Sequence, residues 1–122
     1  MSNKNDLKFL IVDDSKVSRN RLSNLLKEMN YETIYEAVDG TDAIHQFKEH
    51  NVDYILMDLE MPNMNGDIAS KEIISLNPDV NIILVTSIMD KKELVGALRA
   101  GVKKILQKPI SLEKLQQAIK DI

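Results

Sequence analysis

Four places along the 122-residue chain carry side chains suited to phosphoryl chemistry: Asp13-Asp14, Asp58, Thr86-Ser87 and Lys108-Pro109. Brought together, the three Asp carboxylates would repel one another. Two unit charges ~4 Å apart at an effective dielectric of ~20 interact by about 4 kcal/mol. Such a cluster must take up protons or bind a cation. Carboxylate oxygens without His or Cys select a hard ion, and Mg²⁺ uses one or two carboxylates, waters and a phosphate. Lys108 supplies a second positive charge, and the Thr86 hydroxyl can donate to a phosphoryl oxygen. An Asp carboxylate can itself accept a phosphoryl group. The chemistry suggested is phosphoryl transfer onto one Asp of the cluster. Each piece alone has an ordinary explanation: a helix cap, a turn residue, a structural threonine, a loop. The joint placement carries the argument.

That placement depends on the elements between these points. Leu7 to Val12, Thr33 to Ala37, Tyr54 to Met57, Val80 to Val85 and Lys103 to Gln107 are short apolar or β-prone runs. Between them lie amphipathic stretches. Leu22, Leu25, Leu26 and Met29 share one helical face, as do Ala43, Ile44 and Phe47, and Ala69, Ile73 and Leu76. Asn77-Pro78 ends the third helix. Asp90 to Glu93 opens the fourth, and Gly101 closes it. Ser111 caps the fifth, which aligns Leu112, Leu115, Ile119 and Ile122. Strict strand-helix alternation predicts an α/β fold, a flavodoxin-like doubly wound (βα)5 with a five-stranded parallel sheet in the order 2-1-3-4-5. Ligands in such sheets bind beyond the carboxyl ends of the strands, where all four places fall.

Composition narrows the class. The length suits a single domain, 1–122. A net charge of −3 gives no reason to expect nucleic acid or an anionic membrane as partner, and the absence of cysteine excludes disulfides and thiolate metal sites. The start has no apolar stretch of the secretory kind, and no run approaches the ~18 apolar residues of a spanning helix. The expectation is a soluble cytoplasmic domain without membrane insertion.

Several segments match a known family in order and spacing: Leu10 to Ser15, Asp39-Gly40, Met57 to Gly66, Val85 to Ser87, Ala100-Gly101 and Lys108-Pro109. On these the chain resembles the receiver-domain (CheY-like) family of two-component response regulators, which includes stand-alone chemotaxis regulators. The resemblance implies that Asp58 is the phosphoacceptor. It implies that Asp13 and Asp14 hold Mg²⁺, with Asp14 ahead of Asp13 as direct ligand, and that Asp58 and the Glu60 backbone carbonyl complete the protein ligands. Thr86 would bind a phosphoryl oxygen and swing toward it on activation, Lys108 would pair with the phosphoryl group, and the Lys108-Pro109 bond would be cis. The donor would be a sensor histidine kinase or a phosphotransfer protein. The domain would catalyse both the transfer and the later hydrolysis, and would switch a surface on its fourth helix, fifth strand and fifth helix toward a downstream protein effector. The sequence is compatible with a stand-alone regulator and with part of a longer protein. Oligomeric state is not legible.

Three positions depart from the common pattern. Ile105 stands three before Lys108, where the family often has an aromatic switch residue. Glu60, two after Asp58, adds a carboxylate at the site entrance. Ile88, two after Thr86, would shield the acyl phosphate, so hydrolysis is expected to differ from that of Glu60→Asn or Ile88→Glu variants. Lys91, Lys92, Arg99, Lys103, Lys104 and Lys114 form a basic patch on the output surface, but Asp90, Glu93 and Glu113 among them make a solvated charged face an equal explanation. Three rival functions fare worse. A small-molecule phosphatase would want Asp at position 60 and a cap domain. A flavin-binding domain would want a phosphate loop after the first strand. A pseudo-receiver would lack part of the acceptor, acid, Thr and Lys set.

Overall fold

The computed structural model describes residues 6–87 and 90–122. Five strands, β1 (Lys8–Val12), β2 (Thr33–Ala37), β3 (Tyr54–Asp58), β4 (Asn81–Thr86) and β5 (Lys104–Gln107), alternate with five helices. These are α1 (Lys16–Glu28), α2 (Gly40–His50), α3 (Gly66–Leu76), α4 (Lys91–Ala100) and α5 (Leu112–Lys120). The sheet is parallel throughout, in the order β2-β1-β3-β4-β5, as expected from the alternation. β1, β3 and β4 are buried along nearly their whole length, whereas β2 and β5 are half-buried edges. Continuous apolar runs in the inner strands follow from helices covering both faces.

Side chains of alternating parity feed two separate apolar clusters. Leu10, Val12, Ile55, Met57, Ile82 and Leu84 pack with Phe47, Ala69, Ile73 and Ala97 of α2, α3 and α4. Phe9, Ile11, Tyr54, Leu56, Ile83 and Val85 pack with Leu22, Leu26, Leu115 and Ile119 of α1 and α5. Four of the five helix starts are fixed by side-chain caps. Ser15 accepts from Ser18 N, Asp39 from Asp42 N, Asp90 from Lys92 N and Glu93 N, and Ser111 from Lys114 N. Gly101 ends α4 at φ 111, where a left-handed residue closes the helix.

Two apolar residues of the helical stripes stay exposed. Leu76 is 52 % exposed and Ile122 is 38 % exposed. Leu76 is the last residue of α3, whose buried stripe is Gly66, Ala69, Ser70 and Ile73. Ile122 lies beyond the end of α5 at Lys120, so it no longer shares the helical face of Leu115 and Ile119.

Candidate functional site

The carboxyl edge of the sheet gathers the chemistry. Asp13 follows β1, Asp58 closes β3, Thr86 closes β4 and Lys108 follows β5. Carboxylate oxygens of Asp13, Asp14 and Asp58 lie within 4.8 Å of one another. Lys108 reaches across from the other side. Its Nζ donates to Asp13 Oδ2 at 3.0 Å and stands 3.7 Å from Asp58 Oδ1. Its backbone N–H donates to the Thr86 carbonyl at 2.8 Å, so the lysine is anchored to the end of β4. The Lys108-Pro109 peptide bond is cis.

Asp13 is held on every side. Its N–H extends the ladder to the Ala37 carbonyl, at 3.1 Å. Oδ1 accepts from Ser15 N at 2.9 Å, and the carbonyl accepts from Arg19 Nη1 at 2.7 Å. Arg19 is fixed in turn by Glu36 on β2, Nε to Oε1 at 2.9 Å. With both Asp13 oxygens engaged, the exposed Asp14 is the carboxylate of the pair with the most freedom to meet an incoming ion. Glu60 points its side chain into solvent. Ile105 is half-buried against the α2–α4 cluster, on the sheet face that also carries Leu84 and, by alternation, Thr86. Thr86 is fully buried. Ile88 lies outside the described residues.

Asp58 is 8 % exposed. Burial pushes its carboxyl up to about 6, and Asp13 and Asp14 push the same way. Lys108 and the Glu60 backbone N–H pull against them without winning. Desolvation is the larger cause, and the neighbouring carboxylates, with one lysine among them, add to it. A divalent cation would offset the carboxylate charge that the single lysine leaves unbalanced. The donors are all hard oxygens, one of them solvent-facing, which fits a Mg²⁺ ion that keeps some of its waters.

Gly66 keeps the acceptor strand and α3 in contact. A Cβ there would run into the Asp58 carbonyl and stand 2.9 Å from Leu59 Cα. The Gly66 N–H donates to the Leu59 carbonyl at 2.7 Å. Only glycine lets the helix start so close to the backbone that carries Asp58.

This sheet order, with an acid cluster, a threonine and a lysine on its carboxyl rim, defines a response-regulator receiver. The family model for the response regulator receiver domain matches residues 9–120, and the chain belongs to that family. The chemotaxis protein CheY of Bacillus subtilis is 32% identical over 112 residues, which cover 92% of this chain and 93% of that one. The CheY fold in the CheX-CheY-BeF3-Mg²⁺ complex of Borrelia burgdorferi superposes with a TM-score of 0.89 at 26% identity, over 94% of this chain and 87% of that one. A Burkholderia pseudomallei response regulator with a phosphorylated aspartic acid, a calcium ion and citrate gives 0.85 at 26% identity, over 93% and 66%. The chain is therefore a CheY-like receiver domain of two-component phosphorelay signalling. Receiver domains of this kind are switches that bind Mg²⁺ at an acidic pocket and interact with histidine kinases and effectors. Among the described residues no helix is long and apolar enough to cross a membrane.

Two contributors were not legible beforehand. Arg19 acts on a backbone carbonyl, and no side-chain pattern announces that. Its spacing of five after Asp14 on an amphipathic helix was the available hint. The Ser15 N–H is a backbone donor, which residue types never reveal.

Proposed function

We propose that Asp58 accepts a phosphoryl group from the phosphohistidine of a sensor kinase or phosphotransfer protein in a Mg²⁺-dependent reaction. The observation that carries the reading is the charge imbalance around Asp58: three carboxylates within 4.8 Å of one another with one lysine between two of them. In the transfer, an Asp58 carboxylate oxygen bonds to phosphorus while the bond from phosphorus to the donor's imidazole nitrogen breaks. The imidazole leaves with the bonding pair and takes a proton. Mg²⁺, held by Asp13, Asp14, Asp58 and the Glu60 carbonyl, would neutralise charge on the phosphoryl oxygens. Lys108 can turn from Asp13 toward the new anion, and the Thr86 hydroxyl can donate to one of its oxygens. Water later attacks phosphorus, releasing inorganic phosphate and restoring the carboxylate. Movement of Thr86 would then be felt by Ile105 on the same sheet face, and by α4, β5 and α5, where a downstream protein effector would read it. The setting for this exchange is the cytoplasm.

Incubation with Mg²⁺ and acetyl phosphate, followed by intact mass, tests the reading beside Asp58→Asn. One phosphoryl adduct on the wild type is expected, lost with chelator and absent from the variant. A wild type that stays unmodified by acetyl phosphate and by a phosphorylated kinase alike would return the chain to a pseudo-receiver role.

A further inference from the structure

The sequence pair Asp39-Gly40 matches the receiver pattern, yet nothing in the chemistry above uses it. In the fold it lies at the start of α2, facing the loop that runs from Leu59 to Asn65 between β3 and α3. Asp39 has two oxygens with two different duties. Oδ1 accepts from Asp42 N at 2.7 Å and caps α2. Oδ2 accepts from the Asn63 side-chain amide at 3.0 Å. Gly40 completes the contact. A Cβ there would stand 2.8 Å from Met64 Cβ, 2.9 Å from Met64 Cγ and 3.0 Å from the Met64 carbonyl. The missing side chain is what allows the loop to lie against α2. Asn63 itself sits at φ 70, a conformation that asparagine tolerates better than most residues.

The same loop begins at the acid site. The Glu60 backbone N–H lies close enough to the Asp58 carboxylate to favour its charged form, and Leu59 N donates to the Val85 carbonyl at 3.3 Å. Its far end returns through Gly66 N to the Leu59 carbonyl at 2.7 Å, with Met64 N to the Pro62 carbonyl at 2.8 Å in between. The loop is therefore pinned at the acid site and closed on itself at its end. Its midpoint has a side-chain tie to the rest of the molecule through Asn63 and Asp39.

We infer that the Asp39–Asn63 tie is a positioning device for the metal end of the site, holding the loop so that the Glu60 peptide stays presented to Asp58 and to the cation. The inference rests on the functional reading above, because that reading gives the Glu60 carbonyl its role. Neither residue touches the acid cluster. Both act through the peptide between Leu59 and Met61. Partners that orient a metal ligand commonly matter ten- to a hundredfold to metal affinity. A backbone carbonyl held by one exposed hydrogen bond falls below that range.

The test uses Asn63→Gly, which keeps the positive φ available and removes the side-chain amide. Asp39→Asn is its companion: its one amide oxygen can keep the cap of α2, and an NH2 group takes the place of Oδ2, so that the Asn63 amide has to flip and accept. Mg²⁺ alone is titrated into each protein, followed by amide NMR shifts around Asp58. A roughly three- to tenfold weaker Mg²⁺ affinity is expected for Asn63→Gly and a smaller loss for Asp39→Asn, with the unfolding midpoint of Asn63→Gly close to wild type. In the metal-free protein the Met64 and Gly66 amides should exchange faster in Asn63→Gly. Acetyl phosphate uptake should need correspondingly more Mg²⁺ and approach the wild-type rate when Mg²⁺ saturates. Unchanged Mg²⁺ affinity in Asn63→Gly would overturn the inference, whatever its phosphorylation rate. If the wild type binds Mg²⁺ but takes no phosphoryl group from any donor, the functional reading fails while the affinities still decide the tie. If the wild type binds no Mg²⁺, both fail.

Discussion

Among the described residues, Asp58 is the carboxyl that its surroundings perturb most. Its ordinary value is 3.8 and its folded value is about 6, so folding disfavours its charged form. The sign follows from linkage. Above about pH 6 the folded chain bears an unwelcome charge, and that cost fades as pH falls from about 6 toward 4. Asp58→Asn keeps the shape and removes the charge. In chelator, urea unfolding near pH 7 should find this variant about 1–3 kcal/mol more stable than wild type. The gap should close near pH 4. A variant that gains nothing near pH 7 would mean that Lys108 already balances the cluster. Ser70 offers a contrast without charge. It is fully buried and its Oγ has no hydrogen-bond partner among the described residues. An unmet buried hydroxyl contributes nothing to stability and keeps its desolvation cost.

The helices show how local rules and tertiary demands separate. Gly96 is exposed in the middle of α4, and an added Cβ would meet nothing within 4 Å among the described residues. Gly96→Ala should stabilise the fold by about 0.5–1 kcal/mol, through lower backbone entropy in the unfolded chain. Gly66→Ala should do the reverse, by about 1–3 kcal/mol, because its Cβ meets backbone that cannot step aside. Urea midpoints for the two variants should move in opposite directions. Much of this layer was readable beforehand. β2 coincides with the β-prone run Thr33 to Ala37, and Asp90, Gly101 and Ser111 stand where their capping chemistry suggested. Strand ends shifted by a residue at Leu7, Val80 and Lys103, which side-chain type does not resolve. Leu76 and Ile122 continue the helical spacing on paper but stay exposed, because the helix has run out of partners there. At the acid site, the strand-end residues stood out by type and order. Arg19 and the Asp39–Asn63 tie did not, since each depends on a carbonyl or a partner brought near only by the fold.

At the scale of the whole molecule, the acid rim links folding to ions. A cation that binds the folded chain and not the unfolded one stabilises it, by about 2.7 kcal/mol at a hundred times its dissociation constant. Mg²⁺ should therefore raise the thermal unfolding midpoint of the wild type, more than Na⁺ at equal ionic strength. Asp14→Asn should lose most of that rise. Equal midpoints in Mg²⁺ and Na⁺ would mean that the rim is merely a crowded set of carboxylates.

The sheet also acts as a wall. The cluster under α2, α3 and α4 and the cluster under α1 and α5 share no buried residue. A void opened on one side leaves the packing on the other side in place, so changes on opposite faces should add with little coupling. The chain thus holds two compartments in which sequence can drift separately. The rim that carries Asp58 is built from the ends of strands that serve both, so drift on either side has to leave the same few strand ends where they are.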